Sequence, residues 1–504
     1  MDMLKERGGG RLVWLLLMVA VLVLQPVIIG LAAHRNPEKA LAWIFAATLL
    51  PGVGLALFYF MERKFRPTGG RTARGDPRET GRAVPPAGAA SFPGVLPFGP
   101  VRGDSRTEVF TDGERAFQAM LEAMEGARER IDVEFYTIRD DGTGARFQQV
   151  WVRKARQGVK VRVLYDGLGS RELSAAYVQK LREAGVDVRC FLPPRKSLWP
   201  GRINHRNHRK VAVIDGRTGF LGGLNIGDEY VGKHPRLGYW RDTHLKVEGG
   251  AVRDLERTFV RDWTFAGGHE AVWSMEDGQD PGEARTMKVA PATEAGLAME
   301  AAQDMAPSAE TAWNGMDAGF PFDEPVQIVA SGPDTGEPLI LYGFLRLIQA
   351  ARRSILWTTP YFIPDAAIRL ALKTAALSGV DVRILLPLKP DHRVAQLASL
   401  SYVKELLQAG VRFFLYRKGF IHAKTLVVDD FASAVGTANL DLRSLYKNYE
   451  LTAFLYHPRT IRKLREDFAR DLKDSEELRP DRLPAGMRRG MRFSAVTRVL
   501  SPML

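Results

Sequence analysis

Two stretches of this chain, far apart in sequence, carry the same order of elements, and that repetition limits the fold more than any other feature. "GARERIDVEFYTI" (Gly126 to Ile138) has the shape of "AARRSILWTTPYFI" (Ala350 to Ile363). "ARQGVKVRVLYD" (Ala155 to Asp166) matches "ALSGVDVRILLP" (Ala376 to Pro387), and "VQKLREAGVDVRCFLP" (Val178 to Pro193) matches "VKELLQAGVRFFLY" (Val403 to Tyr416). Each is a helix closed by glycine and followed by an apolar strand rich in β-branched residues. That alternation predicts α/β units whose sheets are covered by helices. The halves are expected at 106–268 and 322–475.

Each half then reaches one short motif, His-x-Lys-x-x-x-x-Asp. It reads His208, Lys210, Asp215 in the first half and His422, Lys424, Asp429 in the second. A strand repeats its side-chain direction every second residue, so imidazole and ammonium point into the same space. Asp215 and Asp429 belong to the motif but sit at odd offset, and they are expected to hold the strand-to-turn geometry. A glycine-led turn ending in asparagine follows each motif: "GGLN" (Gly222 to Asn225) and "GTAN" (Gly436 to Asn439). "YWRDTH" and "NYE" then bring Asp242 and Glu450.

This inventory suits a phosphodiester. Two histidines on opposite sides of one phosphorus can supply the nucleophile and the proton for the departing oxygen. Lys210 and Lys424 offer fixed positive charge to the non-bridging oxygens, and Asn225 and Asn439 offer neutral donors to the phosphate. Asp242 and Glu450 can fix the tautomer and angle of the imidazoles. No metal or other cofactor is required. His205 and His208 stand at helical spacing, but no third ligand cluster accompanies them.

The 504 residues carry a formal net charge of +13 and one cysteine, Cys190. The charge favours an anionic partner. The lone cysteine excludes an intrachain disulfide and any cysteine-rich metal site. Residues Leu12 to Ala33 and Ala40 to Met61 are apolar runs, each about as long as a bilayer-spanning helix. They predict a transmembrane hairpin within 1–66; the first run is long for a signal peptide. Lys5, Arg7 and Arg11 precede the hairpin, Arg63, Lys64, Arg66, Arg71 and Arg74 follow it, and the turn carries only Arg35 and Lys39. Both termini and the remaining chain are therefore expected in the cytoplasm. Residues 67–105 read as a linker rich in Gly, Pro and Arg, with structure resuming near Glu108. Residues 269–321 read as a mobile acidic insertion. Residues 476–504 are basic, and suit either an amphipathic helix on an anionic leaflet or a packing helix.

The doubled motif with its trailing asparagine resembles the phospholipase D superfamily. "RNHRKVAVIDG", "WRDTH", "TTPYFIPD", "GTANLDLRS" and the terminal "SPML" narrow the resemblance to bacterial cardiolipin synthases. It implies two duplicated α/β/α sandwich halves packed around one shared active site. It further implies an enzyme of the bacterial inner membrane that acts on phosphatidylglycerol. One histidine, usually the first-half one (here His208), takes the phosphatidyl group. The other protonates the leaving glycerol and then deprotonates a second phosphatidylglycerol, giving cardiolipin. The near symmetry of the halves leaves open which histidine attacks. The residues also leave open a hydrolytic phospholipase D, a nuclease-type phosphodiesterase and a non-catalytic membrane scaffold. The apolar runs and the synthase-like segments favour a lipid over nucleic acid as partner.

Overall fold

In the first half, the strands β1 (Val101–Phe110), β2 (Arg130–Phe135), β3 (Lys160–Asp166), β4 (Asp187–Phe191), β5 (Lys210–Ile214), β6 (Thr218–Gly222), β7 (Trp240–Arg241) and β8 (His244–Gly249) alternate with helices. The second half supplies β9 (Glu324–Ser331), β10 (Ser354–Thr358), β11 (Asp381–Pro387), β12 (Arg412–Tyr416), β13 (Phe420–Ile421), β14 (Thr425–Val428), β15 (Ala432–Gly436), β16 (Glu450–Leu455) and β17 (Ser475–Leu478). These come from a computed structural model that describes residues 22, 24–29, 37–62, 99–193, 205–268, 323–391 and 393–479.

The strand order is β17-β12-β11-β10-β14-β15-β16-β9-β1-β8-β6-β5-β2-β3-β4, one continuous sheet. Apart from β17 it reads as a palindrome, the duplication written in topology. The sequence predicted two duplicated sandwich halves packed around one site, without saying how their sheets meet. The edge strands β1 and β9 pair antiparallel and fuse the halves, with Arg102 opposite Val326. Thr107 N donates to Glu324 Oε2 at 2.8 Å across this seam. Fusion removes two exposed sheet edges, which is a physical reason for the pairing.

Because helices cover both faces, the central strands are buried on both sides and read as unbroken apolar runs. In β5, Ala212 and Ile214 enter the core of the first half. Val211 and Val213 enter a second core that both halves share, beneath helices Val252–Phe265 and Pro458–Lys473. In β14, Leu426 and Val428 face the second half's own core while Val427 faces the shared one. His208 and Lys210 continue the even-numbered row of β5, and His422 and Lys424 that of β14. The two pairs therefore emerge at strand ends on the faces opposite the shared core.

Two expected boundaries shift, and one apolar run is divided. β1 begins at Val101, inside the stretch read as linker. β17 extends the second half to Leu478, pairing antiparallel with β12. The second apolar run is not one rod: it breaks at Pro51-Gly52 into helices Pro37–Leu49 and Val53–Glu62. The two pack on each other, Trp43 edge-on to Phe58 at 5.7 Å. No helix among the described residues is long and apolar enough to cross a membrane. Proline cannot donate the helical hydrogen bond, and Gly52 takes a positive φ of 79° in the turn. The first run lies only partly within the described residues, and 67–98, 269–321 and 480–504 lie outside them.

Asp215 and Asp429 occupy identical turns, with φ of 50° and 45°. Asp215 accepts from the backbone N–H groups of Arg128, Glu129 and Arg130 at 2.8–2.9 Å. Asp429 does the same for Arg352, Arg353 and Ser354 at 2.6–2.9 Å. Each aspartate thus pins the start of the neighbouring strand, β2 or β10. Asp429→Ala is expected to cost about 2 kcal/mol of stability, read from the denaturation midpoint. Partial burial pushes the Asp215 pKa up, but its backbone donors outweigh that and hold it below the ordinary value. Its contribution is therefore present above pH ~4 and lost as pH falls through the depressed pKa.

Candidate active site

The two motifs reach each other through short stretches of β pairing between the halves. His208 N donates to Tyr449 O at 2.9 Å, and Tyr449 N to Arg206 O at 2.8 Å. On the other side β13 pairs with β7, Phe420 N donates to Tyr239 O at 2.9 Å, and His422 N donates to Arg241 O at 2.7 Å. Each motif histidine is thereby set beside the acidic segment of the opposite half.

The orienting carboxylates are consequently exchanged. His208 Nδ1 lies 3.0 Å from both oxygens of Glu450, and His422 Nδ1 lies 2.7 Å from Asp242 Oδ2. A carboxylate can only accept, so Nδ1 of His208 carries the proton and its Nε2 keeps a lone pair, while Nδ1 of His422 also has Lys424 Nζ at 2.9 Å. The carboxylates are held in turn. Glu450 also accepts from Thr437 Oγ1 and from Asn448 Nδ2, the latter at 3.2 Å, while Asp242 Oδ1 takes Thr243 N at 2.7 Å. The difference between the "GGLN" and "GTAN" turns has its cause here. A Cβ at Gly223 would stand 1.9 Å from Asp242 Oδ1, whereas Thr437 at the same place supplies a hydroxyl to Glu450.

Both lysines are buried, Lys210 at 0% exposure and Lys424 at 4%. Lys210 Nζ donates to His208 O at 2.7 Å, and Lys424 Nζ to His422 O at 2.5 Å. Burial pushes Lys210 down to about 7 and Lys424 down to about 8, against the pull of Glu450 and Asp242. Burial also pushes His208 down to about 4, with Lys210 adding to the effect. His422 falls through burial and the Lys424 ammonium beside it. For both carboxylates burial acts upward but is outweighed. Lys424 and His422 hold Asp242 below its ordinary value, and His208 and Lys210 do so for Glu450. The resting centre therefore pairs neutral imidazoles with ionised carboxylates. Lys424 acts on both Lys210 and His208 of the other motif, so the two motifs form one electrostatic unit.

The asparagines are not equivalent. Asn225 is tied to the scaffold at both ends, its Oδ1 accepting Thr137 N at 3.1 Å and its Nδ2 donating to Tyr230 Oη at 2.8 Å. The Asn439 side-chain carbonyl has no partner among the described residues. Asp215 and Asp429 lie at the turns described above, outside this cluster.

Several supporting residues gave no signal in the motif pattern. Tyr136 packs on His208 at 5.1 Å, and Trp240 on His422 at 5.2 Å. Arg209 is fully buried, donating to Asp262 Oδ1 at 2.6 Å and to Glu450 O at 3.1 Å. Arg241 donates to Asp471 Oδ1 at 3.0 Å. The odd-position Arg in "HRK" was visible, but its target on a distant helix was not.

Such a centre can hold one phosphodiester between two imidazoles, with buried cations beside its oxygens and no water needed to orient the bases. On the alkaline side, kcat/KM is expected to fall between pH ~7 and ~8.5 as the lysines lose charge in the free enzyme. Lys210 loses its charge first, so Lys210→Arg, which cannot deprotonate, should move the alkaline limb upward even where its maximal rate drops. A pH–rate series on both proteins measures this.

Residues 120–263 and 344–472 match the family model described as cardiolipin synthase, PLD-like domain. Cardiolipin synthase 2 of Bacillus anthracis is 42% identical over 400 residues, covering 79% of this chain and 71% of the relative. Cardiolipin synthase of Halalkalibacterium halodurans is 37% identical over 490 residues, covering 94% and 90%. Among solved structures, phosphatidylserine synthase of Haemophilus influenzae Rd KW20 shares the fold with a TM-score of 0.56 at 14% identity, covering 79% of this chain and 95% of that one.

Proposed function

The chain belongs to the cardiolipin synthase family of phospholipase D-like proteins, and we propose that it joins two phosphatidylglycerol molecules into cardiolipin and free glycerol. The observation that carries this reading is the pair of carboxylate-oriented imidazoles flanked by two buried lysines. Nε2 of one histidine attacks phosphorus, and the P–O bond to glycerol breaks. The departing oxygen takes a proton from the other histidine, leaving a phosphatidyl-histidine. The second histidine, now neutral, removes the proton from a hydroxyl of the incoming phosphatidylglycerol. That oxygen displaces the first histidine and completes cardiolipin.

The proton donor must be charged before the first step, although both histidines rest neutral. The substrate supplies the shift: a phosphate anion seated between the rings raises the pKa of the histidine it faces. Lys210 and Lys424 act on the non-bridging oxygens, and the amide of Asn439 is the better placed neutral donor, since Asn225 is engaged by Thr137 and Tyr230.

The same reading seats the enzyme at the bacterial cell membrane with the catalytic halves and both termini in the cytoplasm. The positive flanks of the apolar N-terminal runs support it. So do Leu41, Phe45, Leu49, Val53 and Tyr59, which point outward from the helix pair 37–62. A site held beside concentrated anionic lipid favours a second lipid over water as acceptor. A hydrolytic phospholipase D would release phosphatidic acid instead.

The test is product analysis with the full-length enzyme in vesicles of phosphatidylglycerol. Cardiolipin and glycerol are expected in equal amounts; phosphatidic acid without cardiolipin sinks the proposal. His208→Ala and His422→Ala should each lower turnover by at least ~10³-fold with membrane association intact.

A further inference from the structure

The transfer described above brings two phosphates together. One lies between the histidines. The other belongs to the acceptor lipid, and none of the catalytic groups answers its charge. Water as acceptor carries no such anion. A cation that meets the second phosphate therefore sets synthesis apart from hydrolysis.

The flank of His208 carries cations that the catalytic groups do not use. Arg443 stands on the short helix Leu442–Tyr446. Its Nε donates to Asn448 Oδ1 at 3.3 Å, Asn448 Nδ2 donates to Glu450 Oε1 at 3.2 Å, and Glu450 orients His208. Arg443 forms no ion pair among the described residues; the nearby Asp441 carboxylate is turned onto Ser444 N at 2.7 Å. His205 Nδ1 donates to Lys447 O at 2.8 Å and Tyr449 N to Arg206 O at 2.8 Å, so the segment with Arg206 runs along the same turn. Burial pulls the Arg206 guanidinium below its ordinary value and Arg443 adds to this, against Asp166. Tyr136, whose ring packs on His208 at 5.1 Å, lies among Arg443, Arg206 and Arg171, with Asp166 the opposing charge. Asp166 itself accepts from the backbone N–H groups of Leu168, Gly169 and Asn207 at 2.9–3.0 Å.

From Arg206, 2% exposed, the cluster runs through half-buried Arg443 and Tyr136 to exposed Arg171, and so reaches the surface. Leu168 and Tyr446 are exposed on the same loop and helix as Arg171 and Arg443. Cations rimmed by apolar side chains suit an anion that carries acyl chains.

The repeat makes this flank one-sided. Ile138 bridges to Ile226 as Phe362 bridges to Leu440, which sets Glu229 in the place of Arg443 and Pro360 in that of Tyr136. Counted from the motif histidines, Phe420 holds the place of Arg206. Glu229 pairs with Arg139 at 3.3 Å, and Phe420 packs on His422 at 5.7 Å. The His422 flank thus has an acid and a phenyl ring where the His208 flank has two guanidinium groups.

We propose that Arg443, with Arg206 and Arg171, forms a second anion subsite that receives the phosphate of the acceptor lipid. This rests on the phosphatidyl-transfer reading. A guanidinium is always charged, and its planar fork fits two phosphate oxygens at once. Lys210 and Lys424 serve the reacting phosphate. The acceptor's own phosphate stays whole throughout, so a cation there places the acceptor without entering the bond changes. Water and short alcohols gain nothing from it.

The test gives full-length enzyme vesicles of phosphatidylglycerol in the presence of ethanol, an acceptor without charge, and measures cardiolipin and phosphatidylethanol together. Both products leave the same phosphatidyl-histidine, so their ratio reads the acceptor alone. Arg443→Gln keeps a donor for Asn448 but loses the charge, and is expected to lower the cardiolipin-to-phosphatidylethanol ratio about tenfold or more. Arg171→Gln, at an exposed position, should lower it about threefold. Arg443→Lys keeps the charge and should recover most of the ratio. A ratio unchanged in both glutamine variants overturns the proposal. So do equal losses of both products, which would place these cations on the donor phosphate. Wild-type enzyme that forms phosphatidylethanol but no cardiolipin sinks the transfer reading itself, whereas a normal wild-type yield of cardiolipin with an unmoved ratio sinks only the subsite.

Discussion

The backbone pairing of residues 206–208 with Tyr449, and of 420–422 with 239–241, is the contact on which the rest of the centre depends. It amounts to a handful of hydrogen bonds, each worth about 1 kcal/mol net. Its consequence is larger than its energy. It carries each histidine out of its own half and sets it against a carboxylate of the other. An isolated half has an imidazole without its carboxylate and a carboxylate with nothing to orient. Docking of the halves and assembly of the catalytic groups are thus one event.

What the pairing creates is a buried lattice of alternating charge. Two ammonium groups, two carboxylates and two neutral rings share a volume largely closed to water. In such surroundings electrostatic interactions are strong, and any member left unpaired is costly. The lattice stays neutral overall until a phosphate enters. The incoming anion then meets cations already in position, with little reorganisation left to do. The outer ring of supports, Thr437 and Asn448 on Glu450 and Thr243 on Asp242, keeps this arrangement from relaxing in the empty enzyme.

Much of this was legible in the sequence for a simple reason: period-two alternation fixes which side chains share a face. His208 with Lys210, and His422 with Lys424, follow from spacing alone, as do the glycine-closed helices before their strands. Asp242 and Glu450 could be named as orienting groups, but not matched to a particular ring, because spacing within one half says nothing about exchange between halves. Fusion of the two sheets through β1 and β9 was hidden for the same reason, since strand pairing between halves leaves no periodic mark. For the N-terminal run 40–61 hydropathy counts apolar length, while Pro51-Gly52 divides that length into two helices. Asn225 and Asn439 share a motif position yet differ in what they bond, and Thr137 and Tyr230, both outside the motif pattern, distinguish them.

The two buried arginines show how far the halves have drifted apart. In the first half the residue after the motif histidine is Arg209, which meets Asp262 and lies 5.4 Å from the Tyr449 ring. In the second half that place is Ala423, and the guanidinium comes instead from Arg241, the counterpart of Tyr449, reaching Asp471. Two copies of the first half facing each other would confront Arg209 with a second Arg241, and two copies of the second half would leave both aspartates without a cation. The two halves are therefore complementary moulds, and neither can serve as its own mate.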